Sequence, residues 1–327
     1  MKISVALCTY NGARFIREQL ESIASQTSLP DEVIVCDDGS NDGTHDIVAQ
    51  FAIDAPFKLE YSKNPSRLGV AKNFERAISL CTGDIVFLCD QDDVWLPQKI
   101  ATMLPPFLAD EKIGLVFSNA FLTDSRLNRL GYTLWDTFRF DKKGQLALKG
   151  DDAISFLVRS NVVTGSAAAF RMSLRNKLLP FPNVLTHDAW LAIVAATTSQ
   201  IEPVDVPLIL YRQHEKNVVG VRRLNFLKRI SRARQTPPDS LDVEIAQTFE
   251  LYRQLQAMKA AKVTAKNLHE IQDKIRHLNA RKAVFYCNIA GRIRIVLGEL
   301  VALRYHRYSR GWPSAFTDLL LRQKWPT

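Results

Sequence analysis

Cysteine is scarce in this chain of 327 residues: Cys8, Cys36, Cys81, Cys89 and Cys287 are all there is. None forms a C-x-x-C pair, which argues against a zinc site. Cys8, Cys36 and Cys89 lie inside apolar runs and read as small buried hydrophobes in a reducing cytoplasm. Long hydrophobic runs are missing too. The longest apolar-leaning stretch, Ile289 to Leu303, is interrupted by Arg292, Arg294 and Glu299, so no bilayer span is expected. Met1 to Cys8 is too short for a signal-peptide core and turns polar at Thr9. The turn after the first apolar run is Thr9-Tyr10-Asn11-Gly12, with no G-x-G-x-x-G, which excludes a nicotinamide-binding fingerprint. The loop after the first apolar run carries no Lys or Arg before Arg14, so the basic Gly-rich loop expected of a nucleotidylyltransferase is also missing. Internal repeats and low-complexity tracts are absent.

Charge is present but unevenly placed. The chain carries +9 overall. From Val221 onward there are 21 Lys and Arg against 8 Asp and Glu, a balance of +13, which leaves −4 for the remainder. A mildly acidic front and a strongly basic rear imply two jobs, the rear seeking an anionic surface. The expected division is a catalytic domain over 1–220 and a helical basic region over 221–327.

The front alternates strand and helix. Apolar strands are expected at Ile3–Cys8, Glu32–Cys36, Phe57–Tyr61 and Ile85–Cys89. Between them, helical spacing runs over Ala13–Ser25, from Asp42, and over Gly69–Leu80. This rhythm predicts an α/β fold with a doubly wound, mostly parallel sheet whose C-terminal loops share one edge. Further on, strands are expected at Ile113–Phe117, Ser166–Phe170 and Val204–Leu210, the last an edge strand because of Pro207. A helix is expected over Asp188–Thr198. After a break at Pro237-Pro238, long helical periodicity covers Leu241 to Val263 and His269 to His306.

The tetrad Asp90-Gln91-Asp92-Asp93 ends the fourth strand, where ligands bind in open α/β sheets. Carboxylates this close repel one another unless a cation sits between them. A hard divalent ion bridging to a diphosphate fits; an acidic turn capping the helix near Pro97 is the alternative.

The order of these motifs resembles the family 2 glycosyltransferases. The matching residues are Cys8 to Gly12, Ser22 to Thr27, Asp31 to Thr44, Gly83-Asp84, Asp90 to Trp95 and His187-Asp188, spread over roughly residues 1 to 220. The runs Cys89-Asp90-Gln91-Asp92-Asp93-Val94-Trp95 and Gly69 to Glu75 look most like bacterial rhamnosyltransferase-type members. The resemblance implies a GT-A fold and inverting sugar transfer from a dTDP- or UDP-sugar with Mg²⁺ or Mn²⁺. It places the nucleoside contact on Asp38, ahead of Asp37. The D-x-D pattern falls on Asp90 and Asp92, with Asp92 as metal ligand and Asp90 toward ribose or metal-bound water. Asp188, at a helix start, falls where the family carries its catalytic base; the acid usually preceding it is here His187. Tyr10 can lie beside a base, and Arg67 and Lys72 can reach base or phosphate. Thr9, Asn11 and Gln91 complete the expected donor contacts. Tyr211 to Asn217 resembles a segment that closes over the diphosphate, with His214 its diphosphate or metal contact.

The rear offers two open readings. Val284, Phe285, Ile289, Ile293, Val296, Leu297, Leu300, Val301 and Leu303 can line one apolar stripe among arginines, as in an in-plane membrane helix. The same stripe could pack on the catalytic domain or form a homo-oligomer. A membrane surface suits a lipid-linked saccharide acceptor and a peripheral position on the inner face of the cytoplasmic membrane. A nucleotide-sugar- or nucleic-acid-binding protein without transferase activity is the competing function; no nucleic-acid motif supports it.

Overall fold

Apolar runs build the centre of the fold in the computed structural model, which describes residues 1–214, 239–258 and 260–320. Glu215-Lys216-Asn217, the break at Pro237-Pro238 and the tail with Lys324 lie outside the described residues. The strands are β1 (Ile3–Thr9), β2 (Glu32–Asp37), β3 (Lys58–Lys63), β4 (Ile85–Asp90), β5 (Val94–Trp95), β6 (Ile113–Thr123), β7 (Arg129–Thr133), β8 (Ala168–Arg171) and β9 (Gln200–Arg212). They form one sheet in the order β3-β2-β1-β4-β8-β6-β9-β5, with β7 paired to β6.

The half from β3 to β4 is parallel throughout. Every residue of β1 and β2 is buried, as a parallel strand covered on both faces requires. β3 sits at the edge and its burial is broken by exposed residues. β8 then enters antiparallel between β4 and β6, and β6 and β9 pair parallel. The sheet is thus mixed and mostly parallel, with the expected βαβ half intact. Cys8, Cys36, Cys81 and Cys89 are buried free thiols.

β9 is longer than expected and is not an edge strand. It lies between β6 and β5, which cover it on both sides near Leu210. Its prolines are absorbed by slips in the β6 ladder around Asn119, which faces Pro207. β5 pairs only through Val94 and Trp95, so Pro207 meets no demand for a donor from that side.

The chain divides into two compact units, Met1–Ala153 with Val162–Val221, and Ile154–Asn161 with Arg222–Thr327. In the second unit the long helical periodicity resolves into shorter helices: Ser240–Met258, Ala265–Ala283, Ile289–Val301, Arg304–Tyr308 and Trp312–Leu319. Asn288 caps one start by accepting from Gly291 N–H, and Leu303 and Gly311 take positive φ at two joints. These breaks fold the expected single stripe. Val284, Phe285 and Val296 turn inward with Tyr305 and Ala315 to make a core cluster.

His277, fully buried, ties three of these helical segments. Its Nδ1 lies 2.7 Å from Glu299 Oε2 and its Nε2 lies 2.9 Å from Ser309 Oγ. The series copies a hydrolase triad, but the N–H groups of Ser309, Arg310 and Gly311 all donate elsewhere, and the Ser309 hydroxyl already accepts from Arg281 Nη1 at 3.3 Å. It is a structural tie.

At the opposite end of the parallel strands, Glu32 is buried beneath donors. Burial alone would push its carboxyl up. Hydrogen bonds from Ser4, from Thr82 N–H and hydroxyl, and from Lys2 outweigh this and hold it down, from 4.5 to about 2. A depressed carboxyl stabilises the fold above its unfolded value and loses that contribution as pH falls through the folded one. Glu32→Gln is therefore expected to cost on the order of 3 kcal/mol at neutral pH, at about 1.4 kcal/mol per pKa unit. In urea titrations the gap between the two proteins should shrink below about pH 4.5; a pH-independent gap contradicts this account.

Candidate active site

Parallel register delivers the polar turns to one edge. Cys8 pairs with Asp90 and Thr9 with Asp37, so the turns after β1, β2 and β4 leave the sheet side by side.

Gln91 joins the first of these turns to the last. Its Oε1 accepts from Thr9 Oγ1 at 2.6 Å and from Tyr10 N–H at 2.8 Å, and its Nε2 donates to the Tyr10 carbonyl at 3.2 Å. Thr9 and Gln91, both expected to touch donor, are thus engaged with each other. Asn11 adopts φ 48°, which asparagine tolerates, and is held by Ser40 and Asn41. Tyr10 is left exposed, with the Arg67 guanidinium 4.0 Å above its ring. These two candidates are brought together. Asp38 is buried and accepts from Asn64 Nδ2 at 3.0 Å, Leu68 N–H at 2.6 Å and Gly69 N–H at 2.9 Å. Its carboxylate shapes the turn that presents Arg67. Asp37 is taken by Ser40 and Tyr61. Lys72 is committed elsewhere, pairing with Glu75 at 2.8 Å and donating to the Phe181 carbonyl at 3.0 Å.

The tetrad gathers charge that its surroundings only partly answer. The side chain of Asp90 has no hydrogen-bond partner among the described residues. Burial, then the charges of Asp92, Asp93 and Asp188, push its carboxyl well above the usual range. Asp92 Oδ2 lies 2.7 Å from His214 Nε2, and the His214 ring stacks on Phe15 at 5.0 Å. The structure therefore brings together two residues that the sequence separates by most of the first unit. Asp93 is buried and accepts from Arg212 N–H at 3.1 Å; burial and Asp92 push it up to about 7. The Ser166 hydroxyl and the Arg212 N–H draw it back down. No set of three or more His, Cys, Asp or Glu is arranged to hold a metal ion among the described residues. Asp92 and His214 make a two-donor pair.

Asp188 stands in the first turn of the helix His187–Thr198. Its Oδ1 accepts from the Thr186 hydroxyl and from Ala189 N–H. Its charge acts on Asp90, so both acids share one electrostatic field. His187 points to different company. It stacks on Phe74 at 4.1 Å, and burial pushes its pKa down, keeping the ring neutral. It lies over Gly165, where a Cβ would sit 2.3 Å from its Nε2.

Two residues to which sequence reasoning gave no role of their own hold the site. Arg212 is buried, donates to the Asp92 and Ser125 carbonyls at 2.8 and 2.9 Å, pairs with Glu18 and lies 4.6 Å over Phe15. Its place two residues before His214 was the available signal. Lys99 is fully buried, with Nζ 3.6 Å over the Trp95 ring and donating to the Ser166 carbonyl at 2.7 Å. Burial pushes it down to about 7, while Cys89, Asp93 and Asp90 push back. Nothing in a helix-starting lysine signals this.

The family model described as Glycosyl transferase family 2 matches residues 4–171. A dTDP-rhamnosyl transferase, RfbG of Shigella flexneri, is 28% identical over 228 residues, covering 65% of this chain and 73% of the relative. WfaP of Escherichia coli, a UDP-Glc:alpha-D-GlcNAc-diphosphoundecaprenol beta-1,3-glucosyltransferase, is 30% identical over 120 residues, covering 37% and 46%. The mannosyltransferase PcManGT of Pyrobaculum calidifontis, solved with GDP-Man and Mn²⁺, superposes with a TM-score of 0.54 at 21% identity over 98% of this chain and 85% of that one. The matched segment spans between about a third and three quarters of the curated relatives' own length.

Gly165→Ala is expected to lower the urea midpoint, since overpacking against His187 costs about 1–3 kcal/mol. Combined with His187→Ala it should cost less than the two separate losses added together. Strict additivity would show that the ring does not limit this position.

Proposed function

The chain belongs to glycosyl transferase family 2, and on that premise we propose that it transfers a sugar, with inversion and with a divalent cation, from a dTDP- or UDP-sugar to a saccharide acceptor in cell-surface polysaccharide synthesis. One observation carries the reading: Asp188, distant in sequence from the tetrad, adds to the charge that raises the Asp90 carboxyl.

Mg²⁺ or Mn²⁺ fits these residues. Asp90 carries raised proton affinity among like charges, and Asp92 with His214 offers two donors, leaving other positions for phosphate oxygens and water. Bound there, the cation would supply charge neutralisation for the departing diphosphate. Tyr10 and Arg67 would hold the base, with Asp38 fixing the turn that carries Arg67. Thr9, Asn11 and Gln91 act through the backbone of the same turn. Lys72 needs a change of partner to reach donor.

In the reaction, the acceptor hydroxyl oxygen attacks the anomeric carbon, its proton passes to Asp188, and the bond to the diphosphate breaks. Thr186 and Ala189 fix Asp188 Oδ1, which leaves Oδ2 to take that proton. A single displacement needs no enzyme nucleophile, unlike retaining glycoside hydrolysis. The rhamnosyl donor is favoured by the likeness to RfbG, and a lipid-linked acceptor by the likeness to WfaP; such an acceptor suits a peripheral position on the inner face of the cytoplasmic membrane. No helix among the described residues is long and apolar enough to cross a membrane.

A screen of dTDP- and UDP-sugars for nucleotide release with Mg²⁺ or Mn²⁺ tests the proposal. Asp92→Asn should reduce turnover at least a hundredfold while leaving the thermal midpoint within a few degrees, because its carboxylate packs against little but His214. Full activity in EDTA would remove the cation from the mechanism.

Asp188→Asn should retain donor affinity and lose transfer by about 10²–10⁴-fold. Calorimetry showing lost donor affinity instead would assign Asp188 to the donor site. Binding of nucleotide sugar without any release across the screen would favour a binding protein without transferase activity.

A further inference from the structure

The basic rear, read from sequence, is a stripe ringed by arginines. Folded, its charges sort by sign. Between Val284 and Leu320 the acids are Glu299 and Asp318, and both are buried. Glu299 meets His277 at 2.7 Å and Arg304 at 2.9 Å. Asp318 receives Arg281 through both oxygens, at 2.8 and 3.1 Å, and the Tyr305 hydroxyl at 2.7 Å. Arg292 is buried too, donating to the Cys287 carbonyl at 3.1 Å. What this segment leaves outside is one sign only: Arg294, Arg307 and Arg310 are exposed.

The apolar residues sort as well. The helix Ile289–Val301 turns Val296 into the core and keeps Ile289, Ile293, Leu297 and Val301 outside, each four residues from the last. Val301 is 85% exposed and Ile289 74%. The helix Trp312–Leu319, which packs against it, repeats the pattern: Ala315 is buried while Trp312, Phe316 and the following Leu320 are exposed. Spacing of four places each set on one face of its helix. Water gains nothing from such a surface, and a folded chain seldom leaves this much aliphatic and aromatic area uncovered without a partner.

We propose that these two exposed faces, Ile289/Ile293/Leu297/Val301 and Trp312/Phe316/Leu320, seat the protein on an anionic lipid surface with Arg294, Arg307 and Arg310 at the headgroups. This deepens the membrane-surface reading above, and rests on it, by assigning it to residues. The occupant follows from the sorting. A protein partner of mixed surface would be met by both signs along this segment, whereas a segment that exposes arginines and no acid matches phosphate headgroups. Aliphatic chains with one indole and one phenyl ring match the boundary between headgroup and acyl chain.

Flotation of the full chain with vesicles of phosphatidylcholine, and of phosphatidylcholine mixed with phosphatidylglycerol, tests this. The intact protein should float with the mixed vesicles and be released as salt rises. Leu297→Glu with Phe316→Glu should abolish flotation while the helical circular dichroism and donor affinity stay unchanged, since both side chains are exposed. Arg294→Ala and Arg307→Ala should each weaken partitioning about fivefold. Equal recovery with both vesicles, or none with either, overturns the proposal. So does a dimer in sedimentation that Leu297→Glu dissociates, which would make the face a contact between copies. Sugar transfer to a water-soluble acceptor, measured without vesicles, separates the outcomes: its failure with flotation intact strikes the transferase reading and leaves the docking face standing.

Discussion

Repulsion among carboxylates is the constraint around which the first unit is organised. Asp92, Asp93 and Asp188 all act on Asp90, and Asp92 acts on the buried Asp93, where like charges are costly. The fold tolerates them by placing Lys99 beneath, by tying Asp93 to the Arg212 N–H, and by setting His214 against Asp92. These contacts offset part of the field. Asp90 remains the least compensated, which is where an added cation gains most.

The parallel half of the sheet was legible because β1, β2 and β4 are buried on both faces and their apolar runs are nearly continuous. The acids at its edge were legible because they stop those runs abruptly. β9 was misread as an edge because Pro207 lacks a donor; the ladder slips around Asn119 that excuse it have no local signature. The rear helices were read as one because apolar periodicity continues through Ala283 to Ile289 and past Leu303, where the chain turns without a proline. The resulting change is large: one stripe becomes a core on one side and an outer face on the other.

Within the site, the sequence named residues more readily than their partners. Tyr10 with Arg67, and Asp92 with His214, meet across long separations. Thr9 and Gln91 instead meet each other, and Lys72 meets Glu75. Arg212 and Lys99 stayed hidden because their work is done by burial, and burial of a cation is a tertiary fact. His187 carries a similar lesson. The departure from the family's acidic residue leaves Asp188 next to a neutral ring occupied with Phe74 and Gly165.

Gln91 restricts its own replacement. One carboxamide accepts twice, from the Thr9 hydroxyl and the Tyr10 N–H, and donates once, to the Tyr10 carbonyl. Glutamate matches its length and would keep the two accepted bonds, yet it has no N–H for the carbonyl and adds another negative charge to a region already crowded with them. Asparagine has the right head on a stem one carbon too short. Leucine or methionine fills the volume and leaves three polar groups unanswered. Position 91 therefore has a chemical alphabet of one letter, set by two hydrogen-bond polarities and one length, though the side chain need never meet the sugar.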